Sequence, residues 1–332
     1  MIMNEKRSTE YSERSIFELR YGRKDGHDMR IAIETEQLCK SYGKHMCVKN
    51  VDLRVPEGSI YGFLGPNGAG KSTTMKMILG LVNATRGQVS VFGEEMNRKN
   101  RLDILKQTGS LIESPSYYGH LTGRENLEIV RTLRGADKRE VDEALKTVRM
   151  EKQQDKKAGA YSLGMKQRLG LAAALLGKPK ILLLDEPTNG LDPAGIQEMR
   201  ELIRSLPERY GMTVMVSSHL LSEIDQMATH TGIIHKGELI FQDSLEHLHE
   251  HSRKRLLLKT GHNEAALRIL GELGCRGKMM EDRISLPDMG DEKVAFCIAA
   301  LVRQDIGVLR VEEYQRNLED IFLGLTGKQV SL

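Results

Sequence analysis

The sequence has no long run of apolar residues. A membrane-spanning helix needs about 20 mostly apolar residues in succession, whereas the best candidates are the short runs at residues 169–176, 181–184 and 296–302. The first 30 residues contain no apolar run either, which excludes a secretory signal peptide. We therefore expect a chain that does not cross a bilayer by itself and that begins with a polar, disordered extension at residues 1–28.

Excess charge and paired cysteines are also missing. Lys and Arg total 49 while Asp and Glu total 46, so the net charge is only +3. This balance argues against a basic coat for nucleic acid, and we predict no nucleic-acid partner. The four cysteines have no C-x-x-C spacing, which favours reduced thiols in a cytosolic protein over a zinc or disulfide framework.

The length and the pattern of apolar residues predict two folded parts. At about 150 residues per domain, a chain of 332 residues suggests two domains. Strands are predicted at residues 48–55, 59–64, 181–184 and 213–216, the last two with the continuous apolar character of buried parallel strands. A helix is predicted at 74–81 and a mostly helical stretch at 121–176. Residues 29–243 are therefore predicted to form an α/β domain with a helical insertion.

Residues 244–332 have a different pattern. The apolar spacing predicts a strand at 255–259, a helix at 263–273, a hairpin at 276–286, a helix at 291–303 and a strand at 307–312. The order β-α-β-β-α-β is typical of a small ferredoxin-like α+β domain.

A glycine-rich loop between the strand at 59–64 and the following helix is the strongest chemical signal. Its residues are Gly65, Pro66, Asn67, Gly68, Ala69, Gly70, Lys71, Ser72 and Thr73. The pattern G-x-x-x-x-G-K-S lets backbone N–H groups converge on phosphate oxygens at a helix N-terminus. Lys71 can reach the β and γ phosphates, and the Ser72 hydroxyl can ligate Mg²⁺. The loop therefore predicts a nucleoside triphosphate site.

Two adjacent carboxylates end the apolar strand at 181–184. Asp185 suits a direct or second-shell role at Mg²⁺, and Glu186 suits a general base that activates the attacking water. An acidic pair at a strand end is, by itself, equally compatible with a solvated turn. Its place downstream of a phosphate loop favours a catalytic site.

Two further residues lie where a ligand could reach them. Ser162 is a plausible N-cap for a helix running to residue 176, and a helix N-terminus suits phosphate, although an ordinary capped helix accounts for it as well. His219 follows the strand at 213–218 at its carboxyl end, where ligands bind in open α/β sheets. An exposed loop histidine is the alternative.

Taken in order, these motifs resemble the ATP-binding subunit of ABC transporters over residues 31–241. The matching set is the phosphate loop, the helix at Ser162, the Asp185-Glu186 pair, the loop at residues 190–193 and His219. The segments at 111–115, 121–127 and 317–323 are similar to the bacitracin and lantibiotic self-protection exporters. The resemblance implies a P-loop NTPase cassette with a RecA-like core, an antiparallel β subdomain and a helical subdomain.

The resemblance also implies residue roles. Tyr42 would stack on adenine, and His219 would contact the γ-phosphate. Ser162 and Gly164 would contact the γ-phosphate held by a second subunit in a head-to-tail dimer, while Asp192 would help the two sites communicate. The region from residue 113 to 121 would receive a coupling helix of the membrane subunit.

This sequence departs from the family pattern at two places. Glu113 stands where the family usually has Gln, and a carboxylate there can still ligate Mg²⁺ while adding negative charge near the γ-phosphate. Leu163 stands where the signature usually has its first Gly, and Met165 where it has Gln. Leu163 adds bulk where backbone should approach phosphate, which bears on how strongly ATP closes the dimer.

These observations predict an ATPase subunit that uses ATP and Mg²⁺ to drive an exporter of antibiotics or antimicrobial peptides. Its expected partners are a transmembrane permease and a second ATP-binding subunit, with a homodimer favoured. Its expected location is cytoplasmic, at the inner face of the membrane. The alternatives are a soluble ABC ATPase without a membrane partner and a nucleotide-gated subunit with marginal hydrolysis.

Overall fold

The computed structural model describes residues 30–250 and 254–314. The predicted extension at 1–28 and the segment at 317–323 lie outside the described residues. The chain divides into two compact units, Met1–Leu245 and Glu246–Leu332. Within the described ranges, no helix combines the length and the apolar character that a membrane span requires.

The helices and strands are numbered in chain order. The strands up to residue 244 are β1 (Ile31–Tyr42), β2 (His45–Val51), β3 (Arg54–Pro56), β4 (Ile60–Leu64), β5 (Arg86–Val91), β6 (Glu94–Glu95), β7 (Thr108–Leu111), β8 (Ile181–Asp185), β9 (Thr213–Ser218), β10 (His230–His235) and β11 (Glu238–Ser244). The helices in the same part and at its end are α1 (Lys71–Ile78), α2 (Arg101–Lys106), α3 (Gly123–Arg134), α4 (Arg139–Thr147), α5 (Leu163–Leu175), α6 (Pro193–Tyr210), α7 (Leu221–Asp225) and α8 (Leu245–Glu250).

A mostly parallel sheet forms the centre of the first unit. Its strand order is β11-β10-β4-β9-β8-β7, and only the pairing of β10 with β11 is antiparallel among these described strands. Every residue of β4, β8 and β9 is buried, and for β8 and β9 this burial was predicted from their continuous apolar runs. The phosphate loop follows β4, and β9 and β8 come next in the sheet. Because these three strands are parallel, the loops that follow them lie at the same edge of the sheet, and each loop carries one of the predicted motifs.

The second sheet of this unit is antiparallel, in the order β2-β1-β5-β6 with β3 also paired to β1. The single strand predicted at 48–55 is wrong, because β2 and β3 are separate. The Thr35 hydroxyl bonds to both sides of the break: it donates to the Val51 carbonyl (2.7 Å) and accepts from the Leu53 amide (2.8 Å). One apolar cluster joins this sheet to the central sheet and to α1, and it includes Ile33, Phe63, Met75 and Leu183.

The helical insertion contains α3, α4 and α5, within the predicted stretch 121–176. The predicted helix at 74–81 is displaced by three residues, since α1 covers Lys71–Ile78. Helix α1 begins directly after Gly70, whose φ of 109° is left-handed. Gly80, with φ 61°, follows its end.

The second unit contains the predicted β-α-β-β-α-β order. Its elements are β12 (Arg255–Thr260), α9 (Asn263–Glu272), β13 (Lys278–Met280), β14 (Arg283–Pro287), α10 (Asp291–Arg303) and β15 (Val308–Tyr314). The four-stranded sheet has the order β13-β14-β12-β15, and its pairings are antiparallel. Leu258, Leu270, Ile284 and Leu301 belong to an apolar core made by the sheet and both helices.

Candidate active site

The phosphate loop is closely packed by neighbouring backbone. A Cβ atom built on Gly65 would lie 2.3 Å from the carbonyl oxygen of Ile234, and one built on Gly70 would lie 2.7 Å from that of Cys47. Neither position has room for a side chain. The loop ends at the first turn of α1, whose backbone N–H groups have no intrahelical acceptor and are suited to phosphate oxygens.

Lys71 connects this loop to the acidic pair. Its side chain is only 4% exposed, and Nζ donates to the Gly65 carbonyl oxygen at 2.7 Å. The same Nζ lies 3.2 Å from Oε1 of Glu186. The structure therefore brings together two residues that the sequence placed in different motifs.

Ser217 holds the two carboxylates in place. Its hydroxyl donates to Oδ1 of buried Asp185 at 2.6 Å and accepts from the backbone amide of Glu186 at 2.9 Å. Glu186 has a left-handed φ of 47°, a strained backbone conformation for a residue other than glycine and one that is frequent at active sites. Sequence reasoning missed Ser217, although a polar residue near the end of an apolar strand was a usable signal.

His219 completes a continuous array of polar groups. Its Nδ1 lies 3.2 Å from Oε2 of Glu186, and its side chain is about one-third exposed. Glu186 therefore contacts Lys71 with one oxygen and His219 with the other. A carboxylate held between a cation and an imidazole is well placed to exchange a proton with a bound water.

A second acid, Glu223, braces the same loops and was also missed. It is 7% exposed, and its Oε2 accepts from the hydroxyls of Thr188 (2.9 Å) and Ser218 (2.8 Å). These bonds tie the turn after Glu186 to the strand end before His219. A pocket of about 100 Å³ is lined by these residues, namely Glu186, Thr188, Ser218, His219 and Glu223.

Tyr42 ends β1 and is 53% exposed. The ammonium group of Lys40 lies 4.9 Å from the centroid of its ring, a cation–π contact that holds the aromatic side chain in place.

The oxygen groups near the loop fit a magnesium ion bound together with phosphate. No group of three or more His, Cys, Asp or Glu side chains among residues 30–250 and 254–314 could hold a metal by itself. Mg²⁺ characteristically uses one or two protein oxygens plus phosphates and water, and Ser72 and Asp185 supply such oxygens. Glu113 is 67% exposed with φ 62°, and it forms an ion pair with Lys76 of α1.

Ser162 and Asp192 are both helix caps. The Ser162 hydroxyl accepts from the amide of Met165 at 3.3 Å at the start of α5, as the capped-helix alternative predicted. Asp192 accepts from the amide of Gly195 at 3.1 Å at the start of α6. The sequence contained a signal for the second cap, since Pro193 occupies the first helical position.

Comparison with known proteins identifies the family. The family model described as ABC transporter matches residues 48–189. The bacitracin transport ATP-binding protein BcrA of Bacillus licheniformis is 40% identical over 320 residues, covering 90% of this chain and 98% of the relative. This chain belongs to the ABC transporter family. The family assignment predicted from the motifs is confirmed, and with it the expectation of an ATP-binding, ATP-hydrolysing chain.

Two further similarities support the fold and the family. The lantibiotic transport ATP-binding protein SrtF of Streptococcus pyogenes is 42% identical over 230 residues, covering 68% of this chain and 98% of the relative. A solved dimeric structure of the ATP-binding cassette MJ0796, in a post-hydrolysis state bound to ADP and Pi, matches with a TM-score of 0.59. Its identity is 27% over 64% of this chain and 98% of that one. The predicted α/β cassette fold is confirmed.

Proposed function

We propose that this chain is the ATP-hydrolysing subunit of an exporter that removes antibiotics or antimicrobial peptides from the cell. The observation that carries the proposal is Glu186, placed between Lys71 of the phosphate loop and His219. Relatives named for bacitracin transport and for lantibiotic transport support the class of exported compound.

The hydrolytic step follows from these contacts. Phosphate oxygens accept from the N–H groups of the loop and from Lys71, which draws the Lys71 ammonium away from Glu186. The released carboxylate then takes a proton from a water whose oxygen attacks the γ-phosphorus in line. The bond from the γ-phosphorus to the β–γ bridging oxygen breaks, and ADP leaves with that oxygen and the electron pair. His219 holds the carboxylate from its other side and contacts the γ-phosphate. Ser72 and Asp185 would hold Mg²⁺, which would supply positive charge to offset the charge developing on the phosphate oxygens. Glu113 is proposed as a further oxygen ligand.

Two copies of the chain would act together. Ser162 and Gly164 of one copy would contact the γ-phosphate held by the other, Asp192 would link the two sites, and Tyr42 would stack on adenine. The dimeric structure of the MJ0796 cassette supports the pairing of two copies. A transmembrane permease would supply the export path, so the chain would lie on the inner face of the membrane.

Replacing Glu186 with Gln tests the central assignment. The amide keeps the size of the side chain but cannot accept the proton, so ATP turnover should fall by at least about 100-fold while ATP still binds. Phosphate release measures the first and a fluorescent ATP analogue the second. Glu201→Gln, a half-exposed carboxylate on α6, is the matched control and should hydrolyse normally. Undiminished hydrolysis by Glu186→Gln would remove the assignment.

The exporter proposal has a separate test. The chain is expressed with a candidate permease in a susceptible host, and the minimal inhibitory concentration of bacitracin is measured for wild type and Glu186→Gln. Resistance should require both proteins and an intact Glu186. Resistance that persists with Glu186→Gln would contradict ATP-driven export.

A further inference from the structure

Leu163 is an exposed apolar residue at the start of α5. It directly follows the N-cap Ser162, and 46% of its surface is exposed. The family resemblance leads one to expect glycine here, and the hydrolytic step described above does not use this side chain.

Leu163 packs against the loop that follows Glu186. A Cβ atom built on Gly190 would lie 2.9 Å from Cδ2 of Leu163, so the leucine occupies the space beside that glycine. In return, a Cβ built on Gly164 would lie 3.6 Å from Cδ2 of Leu191, which is ordinary contact distance. Each leucine thus lies over the other segment's glycine. We call this pair of contacts the Leu163–Leu191 clasp.

The clasp is connected to the hydrolytic pocket by a short, hydrogen-bonded turn. The amide of Asn189 donates to the Glu186 carbonyl oxygen (3.1 Å), and the amide of Leu191 donates to that of Thr188 (3.1 Å). Gly190 and Leu191 themselves line the pocket that contains Glu186 and His219. Leu163 is therefore connected to Glu186, the proposed general base, through the short turn at residues 186–191, so a displacement of Leu163 would shift that turn.

We propose that Leu163 is a positioning residue that couples the two ATP sites of the dimer. This inference rests on the proposed function. The helix start at Ser162 acts on the nucleotide held by the second copy, whereas Glu186 acts on the nucleotide held by its own copy. Because the clasp joins these two segments within one chain, engagement of one ATP sets the position of the loop beside the other. Where the family pattern has glycine, the Leu163 side chain adds a direct contact with the loop at Gly190.

The test compares Leu163→Ala with Leu163→Met in the full-length dimeric protein. Alanine removes the contact, so the Hill coefficient for ATP hydrolysis should fall toward 1 and kcat should fall about five- to tenfold, the size of typical couplings through packed side chains. Methionine can refill the space and should restore both. The affinity of the first ATP site for a fluorescent ATP analogue should change less than about twofold, because the phosphate loop stays intact, whereas the second site should lose the affinity gained by coupling.

Two companion variants separate coupling from stability. Leu102→Ala removes a more exposed leucine from α2 and should leave the Hill coefficient and kcat unchanged. Leu191→Ala should reproduce Leu163→Ala, and the double variant should add little because both act through one clasp. A lower melting temperature with an unchanged Hill coefficient would show a merely structural role and overturn the inference.

The outcome is distinguishable from failure of the proposed function. If Glu186→Gln still hydrolyses ATP, the proposed function itself fails. If Glu186→Gln is inactive but Leu163→Ala keeps the wild-type Hill coefficient and kcat, only the coupling role of Leu163 fails. A wild-type Hill coefficient of 1 would also overturn the role, since there would be no coupling to lose.

Discussion

At the scale of single residues, Cys275 and Cys297 show how tertiary structure changes ordinary chemistry. Their Sγ atoms lie 3.3 Å apart, and both residues are buried in the core of the second unit. Burial, together with the hydrogen bond and charge interaction with Cys275, raises the pKa of Cys297 to about 11. Only the thiolate is a strong nucleophile, so this thiol is protected at neutral pH both by its surroundings and by its protonation.

We expect iodoacetamide at neutral pH to alkylate the half-buried Cys47 in the folded protein well before Cys275 or Cys297. Peptide mass spectrometry after timed labelling measures the three rates, and labelling in urea is the control in which all should react. Equal rates for Cys47 and Cys297 in the folded protein would contradict this expectation.

The same pKa predicts how stability depends on pH. Because the folded pKa is raised from 9.0 to about 11, the folded state keeps a proton that the unfolded chain releases first. This contribution to the free energy of unfolding is present below pH 9 and should be lost as the pH rises toward 11. Urea unfolding of wild type and Cys297→Ala across this range measures it, and parallel curves would disprove the contribution.

At the scale of single elements, α3 is held at its start by a reciprocal pair of hydrogen bonds. The Thr122 hydroxyl accepts from the amide of Glu125 at 3.1 Å, and the Glu125 carboxylate accepts from the amide of Thr122 at 2.7 Å. The bonds from the Thr122 backbone and then its side chain lower the pKa of Glu125. The spacing T-x-x-E carries this signal in the sequence.

Removing the cap should cost a measurable part of the stability. Thr122→Ala is expected to lower the free energy of unfolding by about 1 kcal/mol, whereas Thr122→Ser should be nearly neutral because the hydroxyl remains. Since the Glu125 pKa is lowered, its contribution is present above the unfolded value and is lost as the pH falls through the folded pKa. Urea titrations at pH 7 and in acid measure both effects. If Thr122→Ser lowered the free energy of unfolding as much as Thr122→Ala, the capping role of the hydroxyl would be ruled out.

At the scale of the whole molecule, each of the two units has an apolar core of its own among the described residues, and this determines how the chain should respond to nucleotide. One core contains Phe63 and Met75 beside the phosphate loop, and the other contains Leu258 and Leu270. All the residues proposed to bind ATP belong to the first unit. A ligand stabilises only the unit whose folded state binds it.

Calorimetry of Glu186→Gln with MgATP tests this separation without turnover. At a concentration 100 times the dissociation constant, the nucleotide should add about 2.7 kcal/mol to the unit that binds it. One transition should therefore move to higher temperature by several degrees while the other stays in place. Lys71→Ala, which removes the phosphate-binding amine, is the control that should not shift. A single transition that moves as a whole would show that the two units unfold together.

The sequence by itself determined the features that depend on nearby residues. The phosphate loop, the capped start of α5, the buried parallel strands and the β-α-β-β-α-β order of the second unit were all predictable, because turn chemistry, caps and apolar periodicity act over a few residues. Element ends were less predictable: the displaced start of α1 depends on the backbone of Gly70, and the gap between β2 and β3 depends on Thr35, a residue of a different strand.

Only the tertiary structure decided which of these residues meet. Lys71, Glu186 and His219 follow different strands. They come together because β4, β9 and β8 are successive parallel strands of one sheet and all three end at the same edge. The supports from Ser217 and Glu223 and the contact of Leu163 with Gly190 likewise join distant parts of the chain. Local spacing can predict a motif, but a contact between motifs follows from strand order, which is set by packing of the whole domain.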